Sequence, residues 1–88
     1  MTNFINRSTV ANALEGVLFK VRKERPLPIG DFESFEIIHD LKLDSLQRIE
    51  MVMIAEEEFD MALQDTELAK CITVSQVVDV LCRQLDVD

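Results

Sequence analysis

The sequence contains few of the residues that most often interrupt regular structure, with only two glycines and two prolines among 88 residues. This scarcity argues against a disordered chain, a repeat protein or a turn-rich β-sandwich. The length allows one domain, residues 1–88, because a chain this short cannot divide into two cores. Apolar residues make up 48% of the chain, so the domain has enough of them to bury a core.

Residues that bind metals or form cross-links are also rare. Two cysteines, Cys71 and Cys82, and one histidine, His39, are too few for a closed zinc site. No basic segment followed by an apolar run opens the chain, and no apolar stretch approaches the ~20 residues that span a bilayer. We therefore expect a cytoplasmic protein without stable membrane insertion. An even number of cysteines permits a disulfide, although the context does not favour one.

Basic residues are the minority, nine against seventeen acidic ones, which gives a formal net charge of −8. Such a chain repels nucleic acid and attracts basic partners. Residues 1–30 hold five basic and two acidic residues, whereas residues 31–88 hold four basic and fifteen acidic ones. Recognition through negative charge must therefore use the later two-thirds. The basic cluster at residues 20–25 fits the negative end of a helix dipole, and a dedicated binding patch is the alternative.

Apolar residues recur at helical spacing over about residues 8–23 and predict a first helix. We expect Ser8 or Thr9 to cap its start and Pro26 to stop it. Residues 26–43 lose this period, but residues 32–43 keep six large apolar side chains, which a solvated linker would not carry. They predict an ordered loop strapped across the core, with one short helical turn.

The second helix has the clearest boundaries. Asp44 is a strong N-cap, Gln47 completes a capping box with it, and Asp60 ends the helix. Acidic residues at 50 and 56–58 line one side. The inward face is expected to comprise Leu46, Ile49, Val52, Met53 and Phe59, with Ala55 or Glu56 between the last two. A short turn at residues 66–70 and a last helix from about Thr73 complete the prediction. The fold class is a small all-α four-helix bundle with a long loop between its first two helices.

Few reactive groups converge in this pattern. His39 and Asp40 are adjacent and could join a serine or cysteine in a nucleophilic site, but adjacency alone is weak evidence. Residues 40–44 imitate the start of a calcium loop, yet Lys42 occupies a ligand position and no glycine or terminal glutamate follows. Cys82 falls on the apolar stripe of the last helix, which favours a core residue over a reactive thiol. We expect neither an enzyme nor a metal site.

The remaining candidate is the Asp-Ser-Leu triplet at residues 44–46, where the acidic helix begins. A serine in a first helical turn is exposed beside free N–H groups, where a phosphate ester gains roughly 0.3–1 kcal/mol. A plain capping pair is the alternative. The run D-L-K-L-D-S-L at residues 40–46 closely resembles the D-L-G-x-D-S-L attachment motif of acyl carrier proteins. The resemblance continues through the acidic helix and covers about residues 8–86.

This resemblance implies a four-helix carrier protein that is not an enzyme. Ser45 would bear a 4′-phosphopantetheine joined through a phosphodiester, with an acyl group held as a thioester on its terminal thiol. The implied partners are a phosphopantetheinyl transferase and acyl-loading, condensing or acyl-transfer enzymes with basic docking surfaces, in fatty-acid, lipid or polyketide-type synthesis. We expect a monomer. The implied partner surface comprises Asp44, Leu46, Glu50, Met53, Glu56 and Glu57.

Three residues depart from the usual motif. Lys42 stands where glycine is usual, Gln47 replaces a frequent acid, and Arg48 adds a positive charge. These departures indicate either neutral surface variation or a specialised carrier that serves dedicated enzymes. An aminoacyl or peptidyl carrier, and an acidic helical adaptor without a prosthetic group, are the alternative functions.

Overall fold

The computed structural model describes residues 6–23 and 25–86, so the prediction about an N-terminal leader falls outside the described residues. It confirms the all-α class, with three main helices, one short helix and a long loop between the first two helices. A single 3₁₀ turn interrupts that loop. In chain order the elements are α1 (Arg7–Val21), the 3₁₀ turn (Phe32–Ser34), α2 (Ser45–Phe59), α3 (Asp65–Ala69) and α4 (Val74–Leu85).

The start of α1 differs from the prediction. Its N-cap is Asn6, and neither Ser8 nor Thr9 has that role. The Asn6 side chain accepts a hydrogen bond from the Thr9 backbone N–H at 3.0 Å, and the Thr9 hydroxyl accepts one from the Asn6 N–H. Thr9 therefore completes a capping box, which explains why the helix begins earlier. The helix ends at Val21, ahead of the predicted end, because Lys23 adopts the left-handed conformation with φ of 58°.

The basic cluster at the end of α1 divides into exposed and buried members. Lys20, Lys23 and Arg25 are exposed, and Lys20 lies in the last turn, where a cation meets the negative end of the helix dipole. Arg22 is buried, and its Nη1 donates a hydrogen bond to the Pro26 carbonyl at 2.6 Å. This contact ties the end of the helix to the beginning of the loop.

Apolar side chains from every helix and from the loop form one core. Burying a valine, leucine, isoleucine, phenylalanine or methionine side chain stabilises the fold by roughly 1.5–3 kcal/mol. The largest fully buried members are Phe59, Leu14, Leu18, Ile37, Leu41, Leu68 and Leu81.

The loop over residues 26–43 is ordered and crosses the core, as predicted. Four of the six large apolar side chains over residues 32–43 are buried: Phe35, Ile37, Leu41 and Leu43. The Ile37 N–H donates to the Ile72 carbonyl, and the Val74 N–H donates to the Phe35 carbonyl, both at 2.9 Å. This isolated antiparallel bridge fastens the loop to the start of α4, so the loop supplies a fixed support for the beginning of α2.

Helix α2 carries apolar residues on two nearly opposite sides, and the predicted inward face was wrong for three of them. Leu46, Ile49 and Met53 are 66%, 58% and 59% exposed. The exposed apolar residues and the buried ones both recur at helical spacing, because successive residues advance by about 100° around the axis. The spacing alone therefore does not show which side of the helix is buried. The residues of α2 that are fully buried are Met51, Ala55 and Phe59.

Within the described part of the chain, no helix is both long enough and apolar enough to cross a membrane.

Candidate functional site

Ser45 is the first residue of α2, and its side chain is exposed. The predicted capping box is present beside it. The Asp44 carboxylate accepts from the Gln47 N–H at 2.8 Å, and the Gln47 side-chain oxygen accepts from the Asp44 N–H at 3.1 Å. The Ser45 hydroxyl takes no part in this box and has no hydrogen-bond partner among residues 6–23 and 25–86. It is therefore available to a reagent from solvent.

Gln47 also links α2 to α1. Its side-chain amide donates to the Val21 carbonyl at 3.5 Å, at the end of α1. A glutamate would preserve the capping box but could not donate this hydrogen bond. The departure from the motif at this position therefore has a structural role within the chain.

The residues before α2 form a hydrogen-bonded turn. The Asp40 carboxylate accepts from the Glu36 N–H at 2.7 Å, and the Leu43 N–H donates to the Ile37 carbonyl at 3.1 Å. Lys42 lies within this turn with φ of 60°, a conformation that favours glycine. The glycine that is usual at this position of the motif is thus explained by the path of the backbone.

A cleft of about 360 Å³ opens between α2 and α3, and Ser45 lies on its wall. Glu56 also lines it, and the Glu56 carboxylate accepts from the Leu63 N–H at 2.9 Å, just before α3. The rest of the lining is mostly aliphatic and includes Ile49, Val52, Met53 and Leu68. The hydroxyl therefore stands beside a space suited to an apolar chain.

Arg48 crosses from α2 to the far end of α3. Its Nη2 donates to the carbonyls of Ala69 at 2.7 Å, Cys71 at 3.1 Å and Leu68 at 3.4 Å. The sequence indicates only an added positive charge at this position, whereas in the structure Arg48 joins α2 to the end of α3. No local signal indicates that role, because the acceptors lie twenty or more residues further along the chain.

The predicted partner residues differ in whether their side chains already have partners within the chain. Leu46, Glu50, Met53 and Glu57 follow one line along α2, and Leu46, Met53 and Glu57 are exposed while Glu50 is half-buried. We call these four residues the docking stripe. The carboxylate of Asp44 instead caps the helix, and that of Glu56 binds the Leu63 N–H.

The other candidate groups do not converge. His39 is exposed, and its nearest carboxylate oxygen, on Glu36, is 4.0 Å away. Cys71 and Cys82 are free and buried, and burial raises the pKa of both thiols, which makes them poor nucleophiles. The Cys82 prediction is thus confirmed. Across the described ranges, no three His, Cys, Asp or Glu side chains gather into a metal-binding group.

The region of the chain that contains this site matches a known protein family. A family model described as a phosphopantetheine attachment site matches residues 26–81, which include the loop, the capping box and the cleft. This match covers more than half of the chain. The chain belongs to the acyl carrier protein family. The cofactor of this family is a covalently attached 4′-phosphopantetheine, and its members are carriers and not catalysts, in agreement with the sequence predictions.

Individual relatives agree with this assignment. The chain is 32% identical over 79 residues to acyl carrier protein 2, mitochondrial, of Arabidopsis thaliana. The aligned region covers 90% of this chain and 61% of the relative. It is 44% identical over 46 residues to an acyl carrier protein of Campylobacter curvus, which covers 52% and 60% respectively. The chain thus spans about half to three-fifths of the length of the curated relatives it matches.

A solved structure has a similar fold. It is a proposed acyl carrier protein from Mycobacterium tuberculosis, with a TM-score of 0.70, 20% sequence identity, and coverage of 85% of this chain and 97% of that one. At this identity the likeness concerns the fold alone, and it agrees with the predicted helical bundle.

Proposed function

We propose that Ser45 bears the 4′-phosphopantetheine and that this protein carries an acyl group on it. The observation that supports the proposal is the exposed Ser45 hydroxyl, which has no hydrogen-bond partner among the described residues and lies beside the apolar cleft. The first turn of α2 suits the phosphodiester, because the positive end of a helix dipole stabilises an anion by roughly 0.3–1 kcal/mol. When bound, the group supplies a terminal thiol that holds the cargo as a thioester.

The cleft favours an acyl cargo over an aminoacyl or peptidyl one. Each methylene that enters it contributes roughly 0.8 kcal/mol before any cost of opening the bundle. The polar groups of a peptide would instead lose their hydration against a mostly aliphatic wall. This comparison supports a role in fatty-acid, lipid or polyketide-type synthesis.

The docking stripe is the surface that we assign to partner enzymes. It alternates apolar and acidic side chains, Leu46, Glu50, Met53 and Glu57, and so combines hydrophobic contact with attraction to a basic rim. Exposed ion pairs contribute less than about 1 kcal/mol each, which suits a carrier that must leave one enzyme for the next. Asp44 and Glu56 border this surface, and their carboxylates already have partners within the chain.

The proposed partners are a phosphopantetheinyl transferase and acyl-loading, condensing or acyl-transfer enzymes with basic docking surfaces. We propose that the chain works as a monomer in the cytoplasm. The two free cysteines fit a reducing compartment. Subcellular fractionation tests the location, and recovery in an organelle, as the name of the Arabidopsis relative indicates for that protein, would contradict it.

Intact-mass measurement tests the attachment site. Incubation with coenzyme A and a phosphopantetheinyl transferase should add the mass of one phosphopantetheine to the wild type and none to Ser45→Ala. Ser8→Ala is the matched control, since Ser8 is also exposed in the first turn of a helix, and it should be modified normally. A folded wild-type protein that gains no mass would refute the proposal.

Adjacent glutamates provide a test of the docking stripe. Glu57→Lys should slow association with the transferase several-fold at low salt, because it reverses a charge that faces the partner. Glu58→Lys makes the same change in net charge one residue further around the helix and should have a smaller effect. Equal rates for the two variants, measured by stopped flow, would count against the stripe.

A further inference from the structure

Helix α3 forms one side of the cleft and spans only Asp65–Ala69. The side chain of its N-cap, Gln64, makes no capping hydrogen bond, but just before the helix the Leu63 and Gln64 N–H groups donate to the Glu56 and Gln84 side chains at 2.9 and 3.1 Å. On the side towards α4, Glu67 pairs with Arg83 at 3.0 Å, and the two side chains are 43% and 68% exposed. On the side towards α2, the carbonyls at its end accept hydrogen bonds from Arg48. A helix this short depends on such tertiary contacts, because it is far below the length that is stable alone.

Arg48 also stands at the boundary between two clefts. The cleft beside Ser45 is continued past Arg48 by a second one of about 350 Å³, lined among others by Ile38, Cys71 and Ile72. Arg48 and Ala69 are the two residues that line both spaces. The 2.7 Å hydrogen bond between the Arg48 Nη2 and the Ala69 carbonyl therefore lies at the partition between them.

We propose that Arg48 is a latch that holds α3 against α2 and thereby sets how readily an acyl chain enters the cleft. The inference rests on the proposed function for its cargo, but the latch itself is a property of the unmodified chain. We call the arrangement in this structure the closed state. In it the two N–H bonds of the Arg48 Nη2 are shared among the carbonyls of Leu68, Ala69 and Cys71. An acyl chain that moves α3 outward must break these hydrogen bonds. Loss of the latch thus destabilises the closed state and leaves the filled state unchanged.

Hydrogen exchange on the unmodified protein tests the latch without any cargo. Arg48→Met keeps a long apolar stem and removes the donors. It should speed amide exchange over residues 65–71 by about tenfold, since hydrogen bonds to charged groups are among the stronger ones, while α1 and α4 exchange as before. Arg48→Lys should give an intermediate rate, because one ammonium cannot reproduce the planar guanidinium. Unchanged exchange over residues 65–71 in both variants would overturn the proposal.

Thioester reactivity tests the effect on the cargo. With octanoyl loaded on the arm, Arg48→Met should react with hydroxylamine about fivefold more slowly than wild type, because the chain is sheltered for more of the time. An acetyl group is too short to gain from the cleft and should react at the same rate in both proteins. Equal octanoyl rates would overturn the role of Arg48 in cargo access.

A charge-matched control separates the latch from a general effect. Arg25→Met removes the same charge from an exposed residue outside both clefts and should match wild type in both assays. An equal effect of this variant would overturn the proposal. Failure of the proposed function and failure of the latch proposal give different results. A missing mass gain at Ser45 refutes the proposed function, whereas hydrogen exchange of the unmodified protein still tests the latch.

Discussion

At position 42 the backbone, more than the side chain, explains the residue preference of the motif. Lys42 has φ of 60°, a region that costs a residue with a Cβ atom roughly 1–2 kcal/mol and costs glycine little. The backbone thus explains the glycine of the motif but not the lysine of this chain, for which specialised recognition is the hypothesis. It stays a prediction, to be checked by comparing how well a housekeeping acyltransferase loads wild type, Lys42→Gly and Arg48→Thr.

We expect Lys42→Gly to raise the free energy of unfolding by about 0.5–1 kcal/mol, because relief of strain exceeds the added entropy of the unfolded glycine. Lys42→Ala removes the charge but keeps the strained backbone and should give no such gain. Urea denaturation measures both. A gain of equal size in the alanine variant would show that charge, and not conformation, is responsible.

Asp44 has a structural role that can be separated from recognition. Asp44→Ala should lower the free energy of unfolding by about 1 kcal/mol through loss of the helix cap, whereas Asp44→Asn should keep most of the stability. Thermal unfolding measures the difference. If Asp44→Asn is as unstable as Asp44→Ala, the cap is not the source of the effect.

The roles of single residues could be predicted where their partners are close in sequence. The capping box of Asp44 and Gln47 and the exposure of Ser45 depend on residues within one turn, and the sequence indicated both features. The second hydrogen bond of Gln47 reaches Val21, and those of Arg48 reach α3. Such contacts exist only after the helices have packed, so no local pattern carries them.

At the scale of elements, Arg7 joins three parts of the bundle. Its guanidinium, at the start of α1, binds the Glu33 carboxylate in the 3₁₀ turn at 2.6 Å, the Asp79 carboxylate on α4 and the Ser75 carbonyl at 3.3 Å. These carboxylates raise the pKa of Arg7, chiefly through the hydrogen bond to Glu33. The network fixes the 3₁₀ turn of the loop against α1 and α4.

Arg7→Met should lower the free energy of unfolding by about 1 kcal/mol, and added salt should narrow the gap from wild type because the pairs are partly exposed. Arg83→Met removes a single, more exposed pair and should cost less. Urea titrations at low and high salt test this. A deficit that does not change with salt would mean that packing of the side chain, and not its charge, is lost.

The elements themselves were well predicted where a boundary had a chemical signal. Asp60, in the left-handed conformation, ends α2 as expected, and α4 begins at Val74, next to the expected start near Thr73, which caps it. The predicted inward face of α2 was wrong because the helix is apolar on two sides, and only its contact with α1 shows which side is buried. The start of α1 was wrong because three neighbouring residues can all cap a helix, and the choice depends on the box that Asn6 forms with Thr9.

At the scale of the whole molecule, the buried thiols link stability to pH. Burial raises the folded-state pKa of Cys71 and Cys82 above the ordinary value of 9.0. The unfolded chain therefore ionises first as the pH rises, so this stability is fully present below pH 9 and declines above it. Urea midpoints between pH 8 and 10.5 should fall, and the fall should be shallower in the double variant Cys71→Ala, Cys82→Ala. Identical slopes would exclude the thiols as the cause.

The two apolar sides of α2 share no residue. The buried side anchors the bundle through Phe59 and its neighbours, while Leu46 and Met53 face outward. We expect changes in the outward set to leave the buried core intact, so under the proposed function the docking stripe can change without loss of folding. One scaffold can therefore supply many dedicated carriers, each distinguished by a handful of exposed positions.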